Sequence, residues 1–133
     1  MSTRALIKAT DEKNNLMGVY CHSDGYPEGG IGEELLTIIE LASKADPNHK
    51  NADQKLELRC PNAALETFRF IPFMIRHLKH EYNLYIELPD GEGNFDASWA
   101  EYVYEIELSE KNPKITAYDY NGKKFNLKKR ISA

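Results

Sequence analysis

The stretch Glu101-Tyr102-Val103-Tyr104-Glu105-Ile106-Glu107-Leu108 decides the fold class. Tyr102, Tyr104, Ile106 and Leu108 alternate with Glu101, Val103, Glu105 and Glu107, so an extended chain here has one apolar side and one acidic side. A period of two is the pleat of a half-buried strand and cannot be laid along a helix face. The same period recurs on either side. Upstream, Tyr82, Leu84, Ile86 and Leu88 alternate with Asn83, Tyr85 and Glu87. Downstream, residues 115–120 read as a further strand, and Asn121-Gly122 signals a two-residue hairpin into 123–127. The local turns between these segments predict a meander, hence antiparallel pairing.

Toward the N-terminus the period becomes helical. From Asn62 onward, Ala64, Phe68, Ile71, Ile75 and Leu78 form one stripe. Pro72 falls inside it and clashes with the Phe68 carbonyl, which predicts a kink or two abutting helices. Ile31, Leu35, Ile38, Ile39 and Ala42 make a second stripe on a helix ending near Lys44. Residues 45–54 are polar, contain Pro47 and read as a surface loop. Leu56, Leu58 and Cys60 alternate briefly, as a short strand or a lead-in to the next helix. At the start, Ala5, Ile7 and Ala9 oppose Arg4, Leu6 and Lys8 in a half-buried strand. A polar turn at 11–15 leads to a second strand at 16–20. The expected fold is α+β, in the order ββα(β)αββββ. An N-terminal hairpin and a C-terminal meander form a mostly antiparallel sheet, with two main helices packed on one face.

A length of 133 residues suits one domain, 1–133, with a core that needs no staples. Its apolar fraction of 41% and charged fraction of 29% are those of a globular protein rather than a disordered one. No window approaches 18 apolar residues and the N-terminus has no signal-peptide core, so a soluble cytoplasmic protein without a membrane partner is expected. Cys21 and Cys60 fit a reducing compartment better than a disulfide. The net charge is −4, although Lys123, Lys124, Lys128, Lys129 and Arg130 make 123–133 a basic C-terminal segment. The acidic remainder argues against nucleic acid as a partner, because phosphate binding needs clustered Lys and Arg.

Unusual residues concentrate in Tyr20-Cys21-His22-Ser23-Asp24-Gly25-Tyr26-Pro27-Glu28-Gly29-Gly30-Ile31-Gly32, between the second strand and the first helix. Gly29, Gly30 and Gly32 can present N–H groups to an anion at a helix start, with Pro27 in the first turn. His22, Asp24 and Glu28 form a possible acid/base or metal-binding set, and Arg4 is a nearby source of positive charge. The spacing is neither a Walker loop nor a recognised zinc motif. Against these stands a structural reading, in which Gly25 takes a positive φ, Asp24 closes the turn and Tyr26 packs on the core.

The opening Ser2-Thr3-Arg4-Ala5 and the pattern Tyr20-x-His22-x-Asp24-Gly25-Tyr26-Pro27-Glu28-Gly29 resemble a family of small uncharacterised phage and prophage proteins. In that family the N-terminal hairpin ends in Tyr-x-His-Trp-Asp-Gly-Tyr-Pro-x-Gly. The strand Tyr102-Val103-Tyr104-Glu105-Ile106 is similar to an aromatic-rich strand near the family's C-terminus, whereas Ser23 stands where many members have Trp. The resemblance implies a mobile-element origin and residence in a host cell, where small non-enzymatic inhibitors of host defence are common.

Other motifs are weaker. His77 and His80 would share a helix face at i and i+3, but two ligands make no zinc site. The run from Asp90 to Asp96, with Glu101 at the twelfth position, has a calcium-loop rhythm, yet Phe95 stands where that loop needs glycine. Ser23 and Cys21 flank His22 on alternate faces, so they form no triad. Tyr102, Tyr104, Tyr118, Tyr120 and Phe125 predict an aromatic cluster, part core and part contact surface. The expected function is binding without a cofactor or metal. An anti-CRISPR-like inhibitor would contact a basic host defence protein through Glu101, Tyr102, Tyr104, Glu105, Glu107, Tyr118 and Tyr120. The alternatives are a sponge for a nucleotide second messenger, held by His22, Asp24, Tyr26, Glu28, Gly29, Gly30 and Arg4, or a small metal-dependent hydrolase using His22, Asp24 and Glu28.

Overall fold

A computed structural model describes residues 3–44, 65–80, 82–109 and 113–127. In chain order the elements are β1 (Ala5–Thr10), β2 (Leu16–Cys21), α1 (Ile31–Lys44), α2 (Thr67–His77), β3 (Leu84–Glu87), β4 (Tyr102–Glu107), β5 (Lys114–Tyr118) and β6 (Lys124–Phe125). All six strands join one sheet in the order β3-β2-β1-β4-β5-β6. The fold is α+β and mostly antiparallel, as its alternating segments predict.

Two pairings differ from the expected meander. β3 pairs antiparallel with β2 at the far edge, four places from β5. β1 and β4 pair in parallel, with Ala5 beside Tyr102 and Ala9 beside Ile106. The reason lies in residues 88–101, which do not make a tight turn from β3 to β4. They cross the face of the sheet opposite the helices, where Phe95 lies over Gly18 and Trp99 meets the Tyr20 ring edge-on at 4.3 Å. Covering that apolar surface outweighs a local hairpin. Leu6 is therefore fully buried, so β1 is buried on both faces rather than one.

The helix-side face of the sheet presents Ala5, Ile7, Ala9, Val19, Cys21, Tyr104, Ile106 and Ala117 to the core. Both helices pack there, with Ile31, Leu35, Ile38, Ile39 and Ala42 of α1 buried as their spacing predicts. α2 keeps Pro72 within a single helix and buries Thr67, Phe70, Ile71, Phe73 and Met74, while Phe68 and Ile75 are exposed. Its inward stripe is thus rotated from the one expected. The phase is set by anchoring at the first turn, where the buried Thr67 donates from Oγ1 to the Asn15 carbonyl at 2.9 Å. α1 begins at Ile31, so Pro27 lies in the preceding loop rather than in the first turn. Asn121-Gly122 belongs to a longer β5–β6 turn, in which Gly122 at φ 77° donates to the Asp119 carbonyl. The expectations for Leu56, Leu58, Cys60, Asn62, Ala64 and residues 128–133 lie outside the described residues.

Candidate functional site

The junction between β2 and α1 is built by close backbone approach. Asp24, not Gly25, takes the left-handed conformation, with φ 57°, and Gly29 is the junction's glycine at positive φ, 75°. The expectation for Gly25 is thereby corrected. Glycine is needed there for space, because a Cβ would lie 2.8 Å from the Ala5 Cβ and 3.0 Å from the Thr3 oxygen. At Gly30 it would lie 2.4 Å from the Asp24 oxygen. The Tyr104 hydroxyl donates to the Gly25 carbonyl at 2.7 Å from within the core. Burial raises this phenol above its ordinary pKa range.

These bonds also occupy donors that an anion would use. Ile31 N–H donates to the Asp24 carbonyl and Gly32 N–H to the Tyr26 carbonyl, both at 3.0 Å. His22 Nδ1 shares a 2.5 Å hydrogen bond with the Tyr20 hydroxyl. Asp24, Glu28 and Gly29 are exposed, Gly30 is buried, and Tyr26 is exposed rather than packed in the core. Among the described residues no group of three His, Cys, Asp or Glu side chains is placed to hold a metal ion. Cys21 is buried, and that burial pushes its thiol up to about 12, so it is no nucleophile at neutral pH.

The pleat divides the residues predicted for protein contact. Register puts Tyr102 and Tyr104 on the helix side, with Tyr104 fully buried, and Glu105, Glu107 and Tyr118 on the opposite, open face. Phe125 meets Tyr102 at 6.0 Å on the helix side. Glu101 accepts the Arg4 N–H at 3.0 Å, and Tyr120 stands 76% exposed at the β5–β6 turn. Lys8 and Glu105 are cross-strand neighbours and form an ion pair at 3.3 Å. Together they wall two shallow depressions. One, of about 290 Å³, also has Phe95 and Glu107 in its lining; the other, of about 280 Å³, has Tyr118, Asp119 and Tyr120. A third depression continues from Glu107 and Lys114 to Asp11 and Glu12. The open side of β4 and β5 is thus a strip of mixed charge with aromatic borders, in which Glu105 stands beside Lys8, Glu107 beside Lys114 and Tyr118 beside Lys124.

A second aromatic group had no counterpart in the sequence reading. Tyr85 stacks on Tyr20 at 5.6 Å, and Tyr20 is in turn braced by Trp99 and His22. Its members lie on two strands and a loop, so only the unexpected β2–β3 pairing brings them together. Two motifs dissolve in turn. α2 ends at His77, which leaves His80 beyond the helix and beside Tyr82. Asp90 and Asp96 spend their carboxylates on loop N–H groups of Glu92, Asn94 and Ser98. No protein-family model, curated protein or solved structure matches this chain. Among the described residues, no helix is long and apolar enough to cross a membrane.

Proposed function

We propose that the chain is a non-enzymatic binding protein of phage or prophage origin that antagonises a bacterial defence system in the host cytoplasm. In this reading it occupies a basic, nucleic-acid-binding surface of a defence protein, as an anti-CRISPR inhibitor does. The carboxylates of Glu105 and Glu107 on the open face of β4 and β5 carry the reading. Glu107 is exposed, Glu105 lies two residues away on the same face, and Tyr118 and Tyr120 border the depression at the other end of the strip. Carboxylates so placed speed encounter with a basic partner, and exposed tyrosines supply anchoring area. The origin rests on the resemblance carried by residues 2–5 and 20–29. The nucleotide and hydrolase alternatives draw less support, because the helix-start N–H groups of Ile31 and Gly32 are already bonded.

Displacement of DNA from a panel of purified CRISPR effectors tests the reading, measured by electrophoretic mobility with and without the protein. At least one effector should release its DNA, and the effect should weaken as salt rises. Glu107→Lys, and Glu105→Lys combined with it, should reduce potency by about tenfold or more. Charge-reversed variants that fold and inhibit as well as the wild type would reject the strip as the contact surface.

A further inference from the structure

We infer that the free edge of β3 is a docking site for an extended, arginine-bearing segment of a partner protein, which joins the sheet as an added strand. Among the described residues β3 ends the sheet and pairs with β2 alone, and none of them bonds to its outer backbone groups, which suit pairing with another chain. The two edges of the sheet are defended differently. β6 is two residues long, begins with exposed Lys124 and follows exposed Lys123, a usual guard against pairing. β3 instead carries Tyr85 at 59%, Ile86 at 50% and, just beyond it, Leu88 at 70% exposure. A lone exposed apolar residue is ordinary, but a run of them along an unguarded edge marks an interaction site.

The side chains specify the occupant. Register places Tyr85 and Glu87 on the open face, beside Tyr20 and Gly18 of β2. Tyr85 has one ring face stacked on Tyr20, which Trp99 and His22 hold in place. The stack is ordered in advance, so a cation binding over Tyr85 pays little entropy. Glu87 has no hydrogen-bond or ion-pair partner among the described residues, and its neighbour Gly18 has no side chain to supply one. Alternate strand residues lie roughly 6.5–7 Å apart, within the span of one guanidinium that stacks on Tyr85 and pairs with Glu87. Ile86 points to the other side, where an alternating strand would place its apolar residues. The pattern sought is therefore arginine and aliphatic residues in alternation.

Charge and area exclude the other occupants. A second copy would bring another Tyr85 and Glu87 with no cation for either. Strands this short bury roughly a few hundred Å², well under the ~1,200 Å² of a stable interface. A nucleic acid would set phosphates against the unpaired carboxylate. This site shares the open face with Glu105 and Glu107 but lies at the β3 edge, beyond β1 and β2 from them, and the inference does not depend on the function proposed for the β4–β5 strip.

The test is calorimetric titration of the full chain with a capped nonapeptide of alternating arginine and valine. Its glutamate–valine counterpart and an oligothymidylate are titrated in parallel. The arginine peptide should bind and the other two should not. Tyr85→Ala and Glu87→Lys, both at the surface, should each weaken binding about tenfold with an unchanged circular dichroism spectrum. Glu107→Lys should leave it unchanged, which separates this site from the β4–β5 strip. Absence of peptide binding, equal binding by the variants, or tighter binding of the oligonucleotide would overturn the inference. So would Tyr85-dependent dimerisation in sedimentation without peptide.

Discussion

Asp24 holds the left-handed turn that ends the N-terminal hairpin, and its carbonyl then receives the Ile31 N–H at the start of α1. An L-residue in this conformation costs about 1–2 kcal/mol, which glycine avoids at some cost in chain entropy. Asp24→Gly should therefore change stability by less than about 1 kcal/mol. Gly30→Ala should cost about 3 kcal/mol, because its Cβ meets backbone that cannot move without breaking the turn. Urea midpoints would rank the two, and a tolerated alanine at Gly30 would mean that the loop follows another path. The glycines announced a special backbone in the sequence, but not its cause. Positive φ is a local property that a turn pattern suggests. Crowding at Gly25 comes from Thr3 and Ala5, which only the folded hairpin brings near. Tyr104 shows the same limit: alternation placed it on an apolar face, but only the fold showed it to be core, bonded to Gly25.

At the scale of elements, α2 is capped by a residue far away in sequence. Its own N-cap, Glu66, makes no side-chain cap bond. Asp11, in the β1–β2 turn, accepts the Thr67 N–H at 2.9 Å and also takes N–H groups from Lys13 and Asn15. Its carboxylate sits at the helix N-terminus, where the dipole favours negative charge. Burial alone would raise the Asp11 pKa, but these hydrogen bonds, led by Thr67, outweigh it and lower it from 3.8. The folded state thus favours the ionised form. The stabilisation is complete above the unfolded value and fades as pH falls through the lowered one. Asp11→Asn should destabilise by about 1–3 kcal/mol at pH 7. The gap to wild type should narrow below pH 4 in denaturant titrations; a constant gap would remove Asp11 from this role. Both helices were legible from their period, and the buried stripe of α1 matched residue for residue although its start did not. The phase of α2 was not, because a carboxylate from another element sets it.

Across the whole molecule, the sheet depends on one long-range pairing. β1 joins the β2–β3 half to the β4–β5–β6 half, and its parallel partner β4 lies 97 positions along the chain. Alternation identified both strands, yet nothing in either states its partner, so the sequence favoured neighbours and produced a meander. The ends of this pairing are closed by hydrogen bonds. Glu101 and Tyr102 N–H groups donate to the Arg4 carbonyl at one end, and Leu108 N–H donates to Thr10 at the other. Ala5, Leu6, Ile7 and Tyr104 are fully buried between the helices and the 88–101 crossing, so opening β1 from β4 exposes the centre of the core. Central strands that cannot open locally exchange their amide hydrogens only through global unfolding, whereas edges open at much lower cost. Native-state hydrogen exchange should show the slowest amides in β1 and β4, and faster exchange in β3 and β6. A meander would instead make β4 a neighbour of β3 and protect residues 84–87 as strongly as β5. Fast exchange throughout β1, or β3 among the slowest segments of the free protein, would contradict the observed strand order.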